Sequence, residues 1–294
     1  MNVITEQKRA DLAHYIQHEL DDDPAVMGIV VIGSVAKGTA RADSDIDTFI
    51  FLDPFDLYAV PAEAKWDPTT NSYHSIMDHV ENGIQLDFKR VSWKTWSDPE
   101  YLWPESICAE LSEGWVAFDR FGQVQPLINA KTDYSDPVRQ QKLDDAINHL
   151  SWLLSEANTG RPYDTLGSTA AHYRLHSAFD YLVQALFAFN RRWRTLRSRE
   201  LTDLISLPWL PTRFKHDLFV AMNASAADKN SYEHRVSILK RFFDELVAKC
   251  QQDQIYGDNP LDEAFIRQHE EPGRGWNMVD WEQKHTKRRD LRRK

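Results

Sequence analysis

The sequence predicts an α/β N-terminal domain followed by an all-α helical bundle. Three observations lead there. Val26–Ile32 (VMGIVVI) is an unbroken apolar, β-branched run, the pattern of a strand buried on both faces. A second strand-like run, Asp45–Leu52 (DIDTFIFL), follows after a Gly-containing break. Beyond about residue 135 strand patterns give way to long helical ones.

The elements follow in order. Leu12, Ile16 and Leu20 recur every four residues and predict an opening amphipathic helix, ended by Asp21-Asp22-Asp23-Pro24. The strand Val26–Ile32 stops at Gly33-Ser34, and a short segment with Gly38, one or two helical turns, leads to the strand opening at Asp45. Residues 53–71, rich in Pro and Asp, read as a loop. Tyr73–Val80 and Ile84–Val91 read as a hairpin joined through Glu81-Asn82-Gly83. A helix over Glu105–Ser112 and a short strand over Trp115–Asp119 complete the first domain. Helices are predicted over 136–156, 168–194, 211–223 and 231–250. The expected division is 1–130, 131–255 and a polar tail, 256–294, whose basic end (287–294) reads as a solvated terminus.

Composition narrows the function classes. The chain has 294 residues and a formal charge of −10. Residues 1–130 carry 22 acidic and 9 basic side chains, whereas residues 281–294 carry 2 and 7. Phosphate-backbone binding needs clustered Lys and Arg, so an acidic body argues against nucleic acid as the main partner; tRNA stays open because of the basic end. Two widely separated cysteines, Cys108 and Cys250, give no disulfide or zinc pattern and fit a reducing compartment. With no signal-peptide h-region and no apolar run long enough to span a bilayer, the expectation is a cytoplasmic protein without a membrane partner.

The chemistry concentrates in Gly33–Leu52 (GSVAKGTARADSDIDTFIFL). Gly33 lets a ligand approach the backbone, and Ser34 stands at a helix start, where free N–H groups and the helix dipole favour phosphate. Asp45 and Asp47, two apart on a strand, point to one face and repel unless a cation lies between them. Such oxygen ligands select Mg²⁺. Asp87 opposes the buried alternation of Ile84, Leu86 and Phe88. It joins the pair if its strand lies beside the Asp45/Asp47 strand.

Gly33-Ser34, Gly38, Ser44-Asp45-Ile46-Asp47 and the strand carboxylate Asp87 resemble the nucleotidyltransferase superfamily typified by DNA polymerase β. The likeness is nearest to its bacterial aminoglycoside, lincosamide and minimal nucleotidyltransferases, over roughly residues 20–125. The resemblance implies a mixed β-sheet flanked by helices, and Asp45, Asp47 and Asp87 as the metal-binding, catalytic carboxylates, with two Mg²⁺ ions and Asp87 either binding the second ion or acting as general base. It implies ATP or another nucleoside triphosphate held by Gly33, Ser34, Lys37 and Ser44. The expected reaction moves a nucleoside monophosphate to a hydroxyl of a small molecule, with an antibiotic as favoured acceptor. A protein or tRNA acceptor, or a non-catalytic nucleotide-binding regulator, are the alternatives. The family often carries Arg where Val35 or Lys37 stands, so Lys37 or Arg41 would supply the loop's cation.

Other candidates have plainer readings beside the functional ones. The cluster Arg191, Arg192, Arg194, Arg197 and Arg199 is a solvated helix end or a triphosphate contact. His172 and His176, four apart, are ordinary helix residues or a metal pair. Tyr181, Phe187, Phe189 and Trp193 read as core rather than a base-stacking platform. Glu105, Glu110 and Glu113 offer a base for the acceptor, with no choice among them.

Overall fold

A computed structural model describes residues 1–76, 79–81, 84–224 and 226–269. The chain packs as two units, Met1–Tyr134 with Arg192–Asp203, and Ser135–Arg191 with the chain from Leu204. The basic stretch 287–294 and the Asn82-Gly83 turn lie outside the described residues.

The first unit opens with α1 (Val3–Tyr15), capped where Asn2 Oδ1 accepts the Thr5 N–H at 2.8 Å. A π-helical turn (Ile16–Leu20) continues it, and Leu12, Ile16 and Leu20 are buried as their spacing predicts. Then come β1 (Val26–Val31), α2 (Gly33–Lys37), β2 (Ile46–Leu52), β3 (Ala64–Asp67), β4 (Ser72–Ser75), β5 (His79–Glu81) and β6 (Ile84–Ser92). These are followed by α3 (Trp93–Trp96), α4 (Glu105–Ser112), β7 (Trp115–Asp119) and α5 (Val124–Lys131). The sheet runs β3-β4-β6-β2-β1-β7, with β5 on β6. It is mixed: β2 and β6 are parallel and the other pairs antiparallel.

Both faces of the sheet are covered, which is why β1 reads as a continuous apolar run. Ile29 and Val31 join Ile46, Ile50 and Phe88 under α1. Met27, Val30 and Ile32 join Phe49, Phe51 and Trp96 on the other face. Gly28 is squeezed between the two layers, with Val124 of α5 and the Phe118 carbonyl against it.

Three expectations for the first unit change. Residues 53–71 are not all loop: β3 lies within them, paired to β4 from Ala64↔Ser75 to Asp67↔Ser72. Its short run is hidden between Pro61 and Pro68, and a cross-strand partner, Tyr73 at 5.0 Å from the Trp66 ring, helps hold it. The strand expected over 73–80 is two strands, β4 and β5, each paired with β6. The second strand begins at Ile46, leaving Asp45 just before it.

The second unit contains α6 (Asp136–Leu153), α7 (Glu156–Gly160), α8 (Pro162–Leu166), α9 (Ser168–Phe189), the end of α10 (Arg197–Leu204), α11 (Phe214–Met222), α12 (Lys229–Gln252) and α13 (Pro260–His269). Ile147 and Leu150 of α6, Leu182 and Leu186 of α9, and Leu239 and Phe242 of α12 share one core with Phe187 and Phe189. Residues 256–269 are not a tail. Tyr256 is buried and donates its hydroxyl to Asp144 at 2.6 Å, and Arg267 grips the same carboxylate at 2.9 and 3.0 Å. The segment looks polar because a charge pair, rather than an apolar stripe, fastens it to α6. Among the described residues no helix is long and apolar enough to cross a membrane.

Gly28→Ala is expected to destabilise the first unit. Its Cβ would meet Val124 Cγ2 at 2.5 Å and the Phe118 carbonyl oxygen at 2.9 Å. Overpacking of this kind costs about 1–3 kcal/mol, read as a lowered urea midpoint with an unchanged slope.

Candidate active site

The site is built by strand register. On the parallel pair β2/β6, Asp47 lies opposite Asp87. Parallel neighbours in register present side chains to one face, so the two carboxylates meet there. Thr48 Oγ1 donates to the Asp87 carbonyl at 2.9 Å, a further clamp between the strands. Asp45, just ahead of the strand, stands close enough to Asp47 to raise the pKa of its carboxyl. Below these carboxylates the face is closed by Phe49 and Trp96, whose rings lie 5.5 Å apart.

The turn after β1 faces Asp47. Gly33 has φ of +66°, a left-handed conformation that favours glycine. A Cβ on Gly33 would lie 3.1 Å from Asp47 Oδ2 and 3.9 Å from an Arg199 guanidinium nitrogen. Ile32 donates its N–H to the Asp47 carbonyl at 2.9 Å, tying turn to strand. Ser34, half-buried, opens the first turn of α2, and Gly38 closes the helix at φ +79°.

The remaining sequence candidates fall differently. Ser44 builds the approach to Asp45: its Oγ accepts the Arg41 N–H at 3.0 Å and its carbonyl accepts from Lys8 Nζ at 2.6 Å. Lys37 pairs with Glu113 at 2.6 Å, and Arg192 reaches the same carboxylate at 3.7 Å. The cation beside the Gly33 turn is Arg199, carried by the segment Arg192–Asp203. Trp193 anchors that segment by donating to the Thr132 carbonyl at 2.9 Å.

Lys89 and His74 were not among the residues the sequence singled out. Lys89, two beyond Asp87 on β6, pairs with Glu110 at 3.3 Å, which brings that glutamate to the site. Its position two after Asp87 was the available signal, but its partner on α4 depends on packing. His74 of β4 accepts or donates to Ser72 Oγ at 2.8 Å and Thr70 Oγ1 at 3.1 Å. Burial and Lys89 hold its ring below the usual imidazole range, against Asp67, Asp87 and Glu110.

The electrostatics single out Asp47. Burial, with Asp45 and Asp87 adding, pushes its carboxyl up to about 6, while Lys89 and Arg199 pull it down. Among the described residues no three His, Cys, Asp or Glu side chains are already closed around one point. The donor set is nonetheless the one a divalent cation takes: Asp47 and Asp87 paired in register with Asp45 close by, and Asp47 left short of positive charge. Asp45, Asp47 and Asp87 could hold a divalent cation as oxygen ligands.

The raised Asp47 pKa links stability to pH. The folded chain holds this proton more tightly than an unfolded one, so stability falls as pH rises from about 4 through about 6. Asp47→Asn is therefore expected to raise Tm by a few degrees at pH 7.5 in chelator, and to do nothing at pH 4. An equal shift at both pH values would remove the electrostatic origin.

Residues 16–90 match the family model described as nucleotidyltransferase domain. That stretch runs from the π-helical turn to β6 and holds Gly33, Ser34, Asp45, Asp47 and Asp87. No curated protein matches the chain in sequence. Among solved structures, a nucleotidyltransferase-like protein from Exiguobacterium sibiricum 255-15 is similar: it is 14% identical with a TM-score of 0.44, over 94% of this chain and 82% of that one. Residues 16–90 thus match a nucleotidyltransferase domain.

Proposed function

We propose that the protein transfers a nucleoside monophosphate, AMP from ATP, to a hydroxyl of a small molecule with release of pyrophosphate. The observation that carries this reading is the in-register pairing of Asp47 with Asp87, with Asp45 two residues ahead, opposite the Gly33 turn. A divalent cation on these carboxylates supplies charge neutralisation for the triphosphate and for the departing pyrophosphate.

The chain's own residues do the rest. Gly33 leaves room for the phosphates against the backbone, and Ser34 and the first N–H groups of α2 donate to them. Arg199 binds triphosphate oxygens with its guanidinium. The acceptor oxygen attacks the α-phosphorus in line, the bond from that phosphorus to the bridging oxygen breaks, and pyrophosphate leaves. The hydroxyl proton passes to Asp87. The aromatic floor of Phe49 and Trp96 keeps water from one side.

The favoured acceptor is a polycationic hydroxylated antibiotic of the aminoglycoside kind, with a lincosamide-like acceptor next. The excess of acidic over basic groups in residues 1–130 supports a cation, since a field of one sign concentrates the opposite charge. The purified chain with Mg²⁺, labelled ATP and a panel of hydroxylated antibiotics tests it by pyrophosphate release. No release with any acceptor would count against the reading. A polycationic acceptor should also show a KM that rises with salt.

Asp45→Ala and Asp87→Asn are expected to lower kcat on the order of 10²–10³-fold or more. Arg199→Ala should raise KM for ATP about tenfold. Lys37→Ala should raise it less, because Lys37 is engaged with Glu113. The reverse order, measured by initial rates against ATP concentration, would move the triphosphate cation to Lys37.

A further inference from the structure

The arginines that follow α9 divide by partner. Arg191 pairs with Asp136, and Arg192 with Glu113. Arg194 and Arg197 both pair with Glu200. Arg199 is the remaining member, and among the described residues it has no carboxylate within ion-pair distance. It is also the one beside the Gly33 turn. Its side chain is exposed, and ordering a long exposed side chain on a ligand costs entropy. The backbone from which it starts therefore decides how well it is aimed.

Glu200, the next residue, holds that backbone. It is 5% exposed. Its Oε1 accepts Arg194 Nε at 2.8 Å and lies 2.6 Å from Arg194 Nη2, and its Oε2 accepts Arg197 Nη1 at 3.2 Å. The two arginines precede it by six and three residues, so one carboxylate ties the incoming chain to the first turn of α10. Inside this loop the Leu196 carbonyl accepts the N–H of Arg199 at 2.8 Å and of Glu200 at 2.9 Å. Upstream, Trp193 donates to the Thr132 carbonyl and its ring lies 4.6 Å from that of Tyr134, which fastens the loop to the body of the first unit. Glu200 also neutralises Arg194 and Arg197, which leaves Arg199 as the guanidinium able to take an incoming anion.

We propose that Glu200 is a positioning residue for the triphosphate: by gripping Arg194 and Arg197 it fixes the turn from which Arg199 reaches the Gly33 backbone. This rests on Arg199 as the triphosphate cation of the reading above. Glu200 is buried beneath its two arginines and acts only through Arg199.

The test is equilibrium binding of ATP with Mg²⁺ to the full chain by titration calorimetry, with Tm recorded for every variant. Glu200→Ala is expected to raise Kd about fivefold. Glu200→Gln, whose amide oxygen still accepts from Arg194, should raise it only about twofold. In the Arg199→Ala background, adding Glu200→Ala should lower Tm as it does alone but change Kd no further. A structural role alone would raise Kd by the same factor in both backgrounds, and that result overturns the proposal. So does an unchanged Kd in Glu200→Ala while Arg199→Ala weakens binding, an outcome that leaves the nucleotide reading standing. Absence of ATP binding by the parent chain, or an unchanged Kd in Arg199→Ala, overturns the role of Arg199 and this proposal with it. If Glu200→Ala does not fold, Glu200→Gln goes through the same cycle, and its smaller effect should vanish in the Arg199→Ala background.

Discussion

The parallel register of β2 and β6 is the constraint on which the rest of the site depends. It sets Asp47 opposite Asp87 and so forces two carboxylates together. Like charges at neighbouring strand positions are unfavourable on their own. The fold tolerates them because the apolar layers on either side of the sheet are large: Phe49, Phe51 and Trp96 lie on the carboxylates' own face, and Ile46, Ile50 and Phe88 on the other. Slipping either strand by one residue would turn a carboxylate into that second layer, so core burial fixes the register that the carboxylates by themselves would resist.

That cost shows in the proton affinity of Asp47. Its carboxyl is held near 6 by burial and by two acidic neighbours, even with Lys89 and Arg199 nearby. A site poised in this way gains most from an added positive charge, the condition for binding a divalent cation. The cations the protein supplies come from separate places. Lys89 is on the same strand as Asp87 and is shared with Glu110. Arg199 belongs to a segment far along the chain, Arg192–Asp203, which packs with the first unit through Trp193.

Much of the first unit was legible in the sequence. Val26–Ile32 announced a doubly buried strand because both faces of β1 are covered. Glu105–Ser112 and Trp115–Asp119 have the bounds their patterns gave. Gly33 marked the end of the strand and Gly38 a short helical segment, and both have positive φ. β3 escaped because four residues between prolines carry little periodicity, and its pairing with β4 is a cross-strand matter. The segment 256–269 escaped because hydropathy cannot register a charge pair such as Arg267 with the buried carboxylate of Asp144.

The sequence by itself determined the chemical inventory: a glycine turn, a hydroxyl at a helix start, and Asp45 and Asp47 two apart at the opening of one strand. These follow from local periodicity and conformational preference, which a short window of residues contains. Tertiary structure decided which groups meet. The opposition of Asp87 to Asp47, the capture of Lys37 by Glu113 and the arrival of Arg199 beside Gly33 all join residues distant in the chain. Such contacts are set by strand order and side-chain packing over the whole unit, and no local pattern encodes them.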